Sequence, residues 1–187
     1  KLHLAVRTAA SLGYIAWRRM DKVSLAAFTG ELGEISTPAS RRGGPAEMFR
    51  ILSEMEPGGT TSFNESLVRY ALAATRPGLA VVLSDLMDPE GYQRGLEALR
   101  YSRFDILLIH VLSRDDMEPP ARGALRLVDG ETGEDRKVRL DRGLAEGFRE
   151  EARTFTEEVE TFCRRRGIEY MRARSETPFQ DLVLAYL

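Results

Sequence analysis

The stretch Leu79-Ala80-Val81-Val82-Leu83-Ser84-Asp85 decides the fold, because an unbroken apolar run ends there in polar residues. A second apolar run extends from Ile106 to Leu112. Strands that are buried on both faces have this composition, as in parallel sheets covered by helices. Between the two runs, Tyr92 to Arg103 is predicted to be a helix with Leu96 and Leu99 inward. This alternation predicts an α/β fold with a doubly wound, mostly parallel sheet flanked by helices.

The flanking segments complete this architecture within a single domain over residues 1–187. Helices are predicted over Lys1–Met20, Pro45–Met55, about Asn64–Ala74, 142–166 and 177–187, and strands over Val23–Phe28, Glu31–Thr37 and Ile168–Met171. Ala124–Val128 and Lys137–Leu140 flank a polar turn, which predicts a β-hairpin insertion over residues 122–141.

Three details of these helices are specific enough to check. The first helix is predicted to bury Ala5, Ala9, Leu12 and Ala16, with Ile15 beside them. Asn64 or a neighbour is predicted to cap the helix that it begins. The long helix after Asp141 is predicted to bury an apolar stripe formed by Leu144, Phe148, Ala152, Phe155, Val159 and Phe162.

Charge and composition exclude several classes of partner. The 27 basic and 29 acidic residues leave a net charge of −2, so no overall field favours nucleic acid or an anionic membrane. We therefore expect no nucleic-acid partner and no membrane contact from this segment. The single cysteine, Cys163, rules out an intramolecular disulfide and suits a cytoplasmic location. A membrane anchor upstream of Lys1 stays open.

Asp85 is the strongest candidate for a functional residue. Ligands of open α/β sheets bind outside the carboxyl ends of the strands, which is where Asp85 falls. A carboxylate there can ligate Mg²⁺ directly or through water. The alternative, equally weighted from this segment alone, is that Asp85 or Asp88 only caps the following loop or helix.

A second candidate is the loop that contains Gly58, Gly59 and Thr60. Glycines let backbone approach a ligand, and a threonine hydroxyl can ligate a hard cation. Taken alone, a simple helix-to-helix turn is the favoured interpretation by about two to one.

His110 and Cys163 are weaker candidates. His110 lies inside an apolar strand and is expected to be a core residue, and Cys163 is expected to be an apolar filler.

Several motifs in order resemble one protein family. They are Asp21-Lys22-Val23-Ser24-Leu25, Gly58-Gly59-Thr60, Val82-Leu83-Ser84-Asp85-Leu86, Leu127-Val128-Asp129-Gly130-Glu131-Thr132-Gly133-Glu134, Cys163-Arg164-Arg165-Arg166-Gly167-Ile168 and Thr177-Pro178-Phe179-Gln180-Asp181-Leu182. Across essentially the whole chain this order resembles the prokaryotic family of unknown function numbered fifty-eight, whose members carry a von Willebrand factor A-like domain.

The resemblance implies a Rossmann-like fold and a metal-ion-dependent adhesion site that takes Mg²⁺. The metal ligands in this sequence would be Thr60 and Asp85, with Gly58, Gly59, Ser84 and Asp88 as supporting residues. Such sites bind proteins and do not transform substrates. Family members often occur beside MoxR-class AAA ATPases, so the implied function is a non-enzymatic protein-binding module in chaperone-like assembly with such an ATPase.

One departure from the family pattern changes these expectations. The Asp-x-Ser-x-Ser motif of the first strand occurs nowhere in this sequence, and the resemblance would place it just before Lys1. Its absence removes three of the five implied ligands, so we expect weak or no Mg²⁺ occupancy in this chain. That strand would lie between the strands at Val23 and Leu79. A preceding segment, another segment, or a second copy in a dimer would have to fill the gap.

Two other classes of function remain. One is a Mg²⁺-dependent phosphoryl-transfer enzyme that uses Asp85 and Asp88, although no phosphate-binding lysine follows a glycine-rich loop. The other is a structural domain whose site has decayed.

Overall fold

The computed structural model describes residues 1–28, 44–56, 62–119, 123–128 and 135–176. The helices in these ranges are α1 (Leu2–Arg18), α2 (Gly44–Ser53), α3 (Phe63–Ala73), α4 (Gln93–Tyr101), α5 (Arg114–Met117) and α6 (Arg142–Arg166). The strands are β1 (Leu79–Ser84), β2 (Asp105–Leu112), β3 (Gly123–Val128), β4 (Asp135–Leu140) and β5 (Glu169–Arg174).

The central sheet of the described residues is parallel and has the order β1-β2-β5. Ser84 at the end of β1 lies opposite His110 of β2, which in turn lies opposite Arg172 of β5. The two apolar runs are therefore adjacent parallel strands, as their composition predicted. The central strand, β2, is buried along its length after Asp105, which explains why it is apolar on both faces.

Helices cover both faces of this sheet. On one face, α3, α4 and α6 pack around Val82, Ile106 and Leu108. On the other face, Leu4 of α1 packs against Leu107, Ile109, Val111 and Ala173. Leu96 and Leu99 of α4 are 0% and 1% exposed, as predicted. The three layers confirm the predicted α/β architecture.

Strands β3 and β4 form the predicted hairpin. They pair antiparallel, with Gly123 opposite Leu140 and Val128 opposite Asp135. The hairpin leads directly into α6, whose N-cap Asp141 accepts a hydrogen bond from the Leu144 amide at 2.9 Å. Its status as an insertion into the domain stays a prediction.

The predicted strand Val23–Phe28 is wrong as a continuous strand. Only Leu25 and Phe28 form isolated bridges, and the remaining residues of the segment are irregular. A ladder needs a neighbour that pairs along its whole length, and single bridges do not provide one. Phe28 instead contributes to the core, where its ring meets that of Phe63 edge to face at 5.7 Å.

Two predicted apolar stripes are confirmed only in part. In α1 the predicted Ala5 and Leu12 pack, half-buried, against the core, but the fully buried residues are Leu4, Thr8 and Gly13. In α6, Leu144 and Phe148 are 48% and 37% exposed. At 25 residues, α6 is about 37 Å long, whereas an eight-residue strand spans about 26 Å. The first turns of α6 therefore extend past the sheet.

The end of α6 and the strand that follows agree with the sequence. Gly167 adopts a left-handed conformation with φ 64° at the C-cap, after three arginines in the last turn. The predicted strand Glu31–Thr37, the helix beginning at Thr177, and the loop containing Gly58, Gly59 and Thr60 lie outside the described residues.

Candidate functional site

The candidate site is built where β1 ends. After Ser84 the chain turns sharply, and Leu86 adopts a left-handed φ of 59° while its side chain is only 2% exposed. The Ser84 hydroxyl accepts a hydrogen bond from the Leu86 amide at 3.0 Å, and the Asp85 carboxylate accepts one from the Met87 amide at 3.3 Å. The turn leaves the Asp85 side chain 34% exposed at the carboxyl edge of the sheet, as the sequence predicted.

The Asp85 carboxylate already has a cationic neighbour. The Nζ atom of Lys1, just before α1, lies 2.6 Å from Oδ2 of Asp85 and 3.2 Å from Oδ1 of Asp116. Burial alone would lower the pKa of the Lys1 ammonium, but the two carboxylates outweigh that effect and raise it. The site therefore holds one positive charge between two negative ones.

Asp116 was missed by the sequence analysis. It lies in the short helix α5 directly after β2, where its Oδ2 accepts a hydrogen bond from the Ser113 amide at 2.7 Å. Ser113 and Asp116 together form a capping box. Burial opposes ionisation of Asp116, but the hydrogen bonds from Ser113 and the Lys1 charge prevail and lower the pKa of Asp116. The Ser-x-x-Asp spacing after an apolar strand was the signal for this residue.

Asp88 has a different role from Asp85. Its Oδ2 accepts a hydrogen bond from the Phe63 amide at 2.7 Å, and its Oδ1 accepts one from the Glu90 amide at 2.8 Å. Asp88 thus caps the first turn of α3 from a distant segment. The N-cap residue of α3, Ser62, makes no side-chain hydrogen bond of its own.

The sequence predicted Asn64 or a neighbour as the cap, and the N-cap position falls on the neighbour Ser62, not on Asn64. Asn64 lies inside α3, where its amide donates to the carbonyls of Glu90 and Gly91 at 2.9 Å and its oxygen accepts from the Gly95 amide at 2.8 Å. Asn64 ties α3 to the start of α4 because these backbone groups would otherwise be buried without partners.

His110 is a core residue, as predicted, and it also contacts the candidate site. The side chain is 0% exposed. Its Nε2 lies 3.0 Å from the backbone carbonyl oxygen of Asp85, and its Nδ1 lies 2.9 Å from the hydroxyl of Tyr170. Burial lowers the pKa of His110 in spite of the nearby Asp85 carboxylate, so the ring is neutral at pH 7.

Cys163 is buried among apolar side chains. Burial raises the pKa of its thiol to about 11, with a smaller contribution from Glu160. The thiol is therefore protonated at neutral pH, which agrees with its predicted role as an apolar filler.

The carboxylate oxygen of Asp85 is the kind of donor that Mg²⁺ prefers, and its exposure leaves it accessible. Within the described ranges, no three carboxylate, imidazole or thiolate side chains come together as a metal-binding group. Of the predicted residues, the structure brings Ser84 and Asp85 together at the strand end and places Asp88 at the start of α3, whereas Gly58, Gly59 and Thr60 are outside the described part. A metal at Asp85 would have to displace the Lys1 ammonium or share the carboxylate with it.

The fold and strand-end carboxylate define an α/β domain of the von Willebrand factor A type. Residues 1–158 match the family described as "Protein of unknown function DUF58", and the chain belongs to that family. The resemblance seen in the sequence motifs is thereby confirmed.

Two solved structures share the fold. An aerotolerance-related membrane protein from Bacteroides fragilis, crystallised with multiple mutations to serine, is 15% identical with a TM-score of 0.58, over 98% of this chain and 85% of that one. The conserved hypothetical protein BatB from Bacteroides thetaiotaomicron is 14% identical with a TM-score of 0.51, over 97% and 82%.

Curated relatives are uncharacterised mycobacterial proteins. One from Mycobacterium avium is 34% identical over 101 residues, which are 54% of this chain and 59% of that protein. One from Mycobacterium tuberculosis is 37% identical over 73 residues, or 39% and 23%. The chain thus spans well under two thirds of the length of the curated relatives it matches. No helix in the described ranges is long and apolar enough to cross a membrane.

Proposed function

We propose that this chain is a non-enzymatic protein-binding module whose Asp85 belongs to a metal-ion-dependent adhesion-type site for Mg²⁺. Thr60 would be the companion ligand, and a MoxR-class AAA ATPase would be the partner in chaperone-like assembly. The observation that carries the proposal is the Asp85 carboxylate, exposed at the carboxyl edge of a parallel sheet and paired with a cation at 2.6 Å. An edge of this kind is where α/β sheets bind their ligands.

The position of Lys1 supports the expectation that Mg²⁺ binds weakly to this chain. Mg²⁺ gives up its water ligands reluctantly and needs several oxygen donors in octahedral geometry. The Lys1 ammonium already neutralises part of the charge that would attract a divalent ion. Additional oxygen ligands, from a preceding Asp-x-Ser-x-Ser strand and a carboxylate of the partner, would be needed to outcompete it.

The enzyme alternative is less well supported, because a two-carboxylate reaction centre would need Asp88 beside Asp85. Both Asp88 oxygens accept hydrogen bonds from backbone amides at the start of α3 and in its own loop. This engagement makes Asp88 a structural cap. Asp116, the other carboxylate near Asp85, is also engaged, with one oxygen at the Ser113 amide and the other at Lys1. A structural domain with a decayed site remains as the third class.

Metal binding is tested on the full-length natural protein by calorimetric titration with Mg²⁺. Asp85→Asn removes the charged ligand, and Asp105→Asn is the matched control, because Asp105 begins β2 at the opposite edge of the sheet. Saturable binding that is lost in Asp85→Asn alone supports the proposal. Hydrolysis of p-nitrophenyl phosphate that Asp85→Asn abolishes would favour the enzyme, and no Mg²⁺ binding at all would favour the decayed site.

Partner binding is tested separately with a purified MoxR-class ATPase from the same organism. Biolayer interferometry with the immobilised full-length protein should show binding in Mg²⁺ that EDTA reverses and Asp85→Asn weakens. Binding that is unaffected by both changes would place the contact elsewhere on the protein.

A membrane anchor outside this chain is compatible with this proposal, since one structural neighbour is described as a membrane protein.

A further inference from the structure

We propose that His110, held by Tyr170, is a positioning residue that fixes the Asp85 peptide and thereby aims the Asp85 carboxylate at the edge of the sheet. This inference rests on the proposed function of Asp85 and deepens it, because it identifies the buried groups on which the site depends. His110 is 0% exposed and acts through Asp85, and the half-buried Tyr170 acts through His110.

The geometry at the end of β1 explains why a side chain is needed there. Ser84 is the last residue of β1 in register with β2, and its register partner is His110. The Asp85 carbonyl therefore lies one residue beyond the ladder. The His110 side chain supplies the missing donor, with Nε2 at 3.0 Å from that carbonyl oxygen. A half-buried carbonyl without a donor would be destabilising.

The contact falls on the peptide at which the chain changes direction. Leu86 has a φ of 59°, a conformation that is unfavourable for a non-glycine residue and persists only where its surroundings enforce it. Two features enforce it here: the buried Leu86 side chain and the His110 hydrogen bond to the preceding carbonyl. Because the carbonyl and the carboxylate belong to the same residue, anchoring the first on the inside orients the second on the outside.

The hydrogen-bond partners determine which ring nitrogen carries the proton. A backbone carbonyl can only accept, so Nε2 of His110 must be the protonated nitrogen. Nδ1 is then an acceptor and takes the hydroxyl proton of Tyr170 at 2.9 Å. Burial raises the pKa of Tyr170 to about 12, which keeps that hydroxyl protonated as a donor. Tyr170 lies on β5, so the contacts run from β5 through His110 on β2 to Asp85 at the end of β1.

Packing around the His110 imidazole prevents the ring from adopting other orientations. Phe155 of α6 meets His110 edge to face at a centroid distance of 5.8 Å, and the ring has no exposed surface. A leucine would satisfy the apolar contacts of this position, but it could not donate to the Asp85 carbonyl. The need for a donor at Nε2 therefore accounts for a histidine inside an otherwise apolar strand.

The first test reads the tautomer directly and does not depend on metal binding. The full-length protein is labelled with ¹⁵N-histidine, and two-bond ¹H–¹⁵N spectra are recorded at pH 7, with His3→Gln to assign the two histidines. We expect the Nε2–H tautomer for His110, whereas an Nδ1–H tautomer would overturn the inference. Tyr170→Phe removes the donor to Nδ1 but leaves the Asp85 carbonyl in place, so the Nε2–H tautomer should persist while the Nδ1 resonance shifts. An unchanged Nδ1 shift would contradict the role given to Tyr170.

The second test separates positioning from structure with two substitutions at one site. The amide nitrogen of His110→Gln can take the place of Nε2, whereas His110→Phe keeps the ring volume and removes the donor. Backbone amide resonances of Leu86 and Met87 should move or broaden in His110→Phe and return toward wild type in His110→Gln. Equal behaviour of the two variants would refute the inference, whatever the outcome for Mg²⁺.

The third readout connects the inference to the proposed function. If the full-length protein binds Mg²⁺, His110→Phe should weaken binding by about 10-fold or more, as outer groups at metal sites do, and His110→Gln should recover most of the affinity. Denaturant unfolding of both variants shows whether each remains folded under the titration conditions. If the wild-type full-length protein does not bind Mg²⁺, the proposed function is refuted. The tautomer and amide results then decide the inference on their own.

Discussion

Replacing Lys1 with methionine should increase the affinity of this protein for Mg²⁺. The ammonium of Lys1 contacts Asp85 at 2.6 Å and Asp116 at 3.2 Å, and its side chain is 32% exposed. A divalent cation that binds Asp85 has to compete with that charge. Methionine keeps most of the aliphatic stem and removes the charge, so the substitution tests the competition without deleting the packing of the side chain.

The expected magnitude follows from the two ion pairs. Solvent-accessible pairs contribute about 0.2–1 kcal/mol each, and the low exposure of Asp116, 13%, places its contact toward the upper end of that range. Together the two contacts are worth about 1–2 kcal/mol. A metal that no longer has to displace them should bind about 5–30 times more tightly, by the usual conversion of free energy to an equilibrium constant.

The assay is a Mg²⁺ titration followed by amide chemical shifts of residues 84–88, with Mn²⁺ broadening as a second probe of location. Lys22→Met is the matched control, because it removes the same charge near the other end of α1, about 25 Å away along a helix of 17 residues. Equal affinities of wild type and Lys1→Met, or equal gains in both variants, would refute the competition between Lys1 and the metal.

Three further changes test individual contacts. Asp88→Ala should lower the free energy of unfolding in urea by about 1–2 kcal/mol, because the amides of Phe63 and Glu90 lose their acceptor; a change below about 0.3 kcal/mol would contradict its capping role. The pKa of Asp116 is lowered in the folded state, so its contribution to stability is present above the usual value near 3.8 and is lost as the pH falls through the folded value; acid unfolding of Asp116→Asn should lack that loss. With a pKa of about 11, Cys163 should not react with a disulfide reagent at pH 8 until the protein is unfolded in guanidinium, and rapid labelling of the native protein would show that the thiol is accessible.

The central sheet could be predicted from sequence because apolar runs bounded by turn residues have few other structural interpretations. An apolar run bounded by turn residues is typical of a strand in a covered parallel sheet. The run in β2 is buried along its length after Asp105, whereas β1 is only partly buried, with Leu79 62% exposed. The position of Asp85 follows from the end of the run in β1 and from nothing more distant. The boundaries of β1 and β2 therefore agree with the prediction to within one residue.

Which residues of the outer helices α1 and α6 are buried could not be predicted in the same way. A helical pattern gives the relative spacing of apolar residues, but the length of the layer beneath the helix decides which of them are covered. In α6 the turns at Leu144 and Phe148 extend past the sheet, whereas Val159 and Cys163 lie over it and are 0% exposed. In α1 the pattern contained many small residues, so it did not show that Leu4 and Thr8 would be buried more deeply than Ala5 and Leu12 on the packed face.

The partners of Asp85 were beyond prediction because they come from three distant segments. Lys1 precedes the first helix, Asp116 follows the second strand, and His110 reaches Asp85 from inside β2. Lys1 was predicted to begin a helix and His110 to be a core residue, and both predictions are correct, whereas Asp116, which belongs to a capping box, was missed. Their second role exists only once the sheet brings the ends of β1 and β2 to one edge.

This arrangement divides the site into a fixed part and an exchangeable part. The fixed part is the Asp85 backbone, held by His110 inside a core that also anchors Leu86. The exchangeable part is the cation at the carboxylate, where Lys1 makes contacts of a kind that are individually weak. If Asp85 binds Mg²⁺ as proposed, its carboxylate has to be rigid, because a mobile one would follow the ammonium away from the metal. The fixed part and the exchangeable part lead to opposite predictions. Substitution of His110 should weaken Mg²⁺ binding, and substitution of Lys1 should strengthen it.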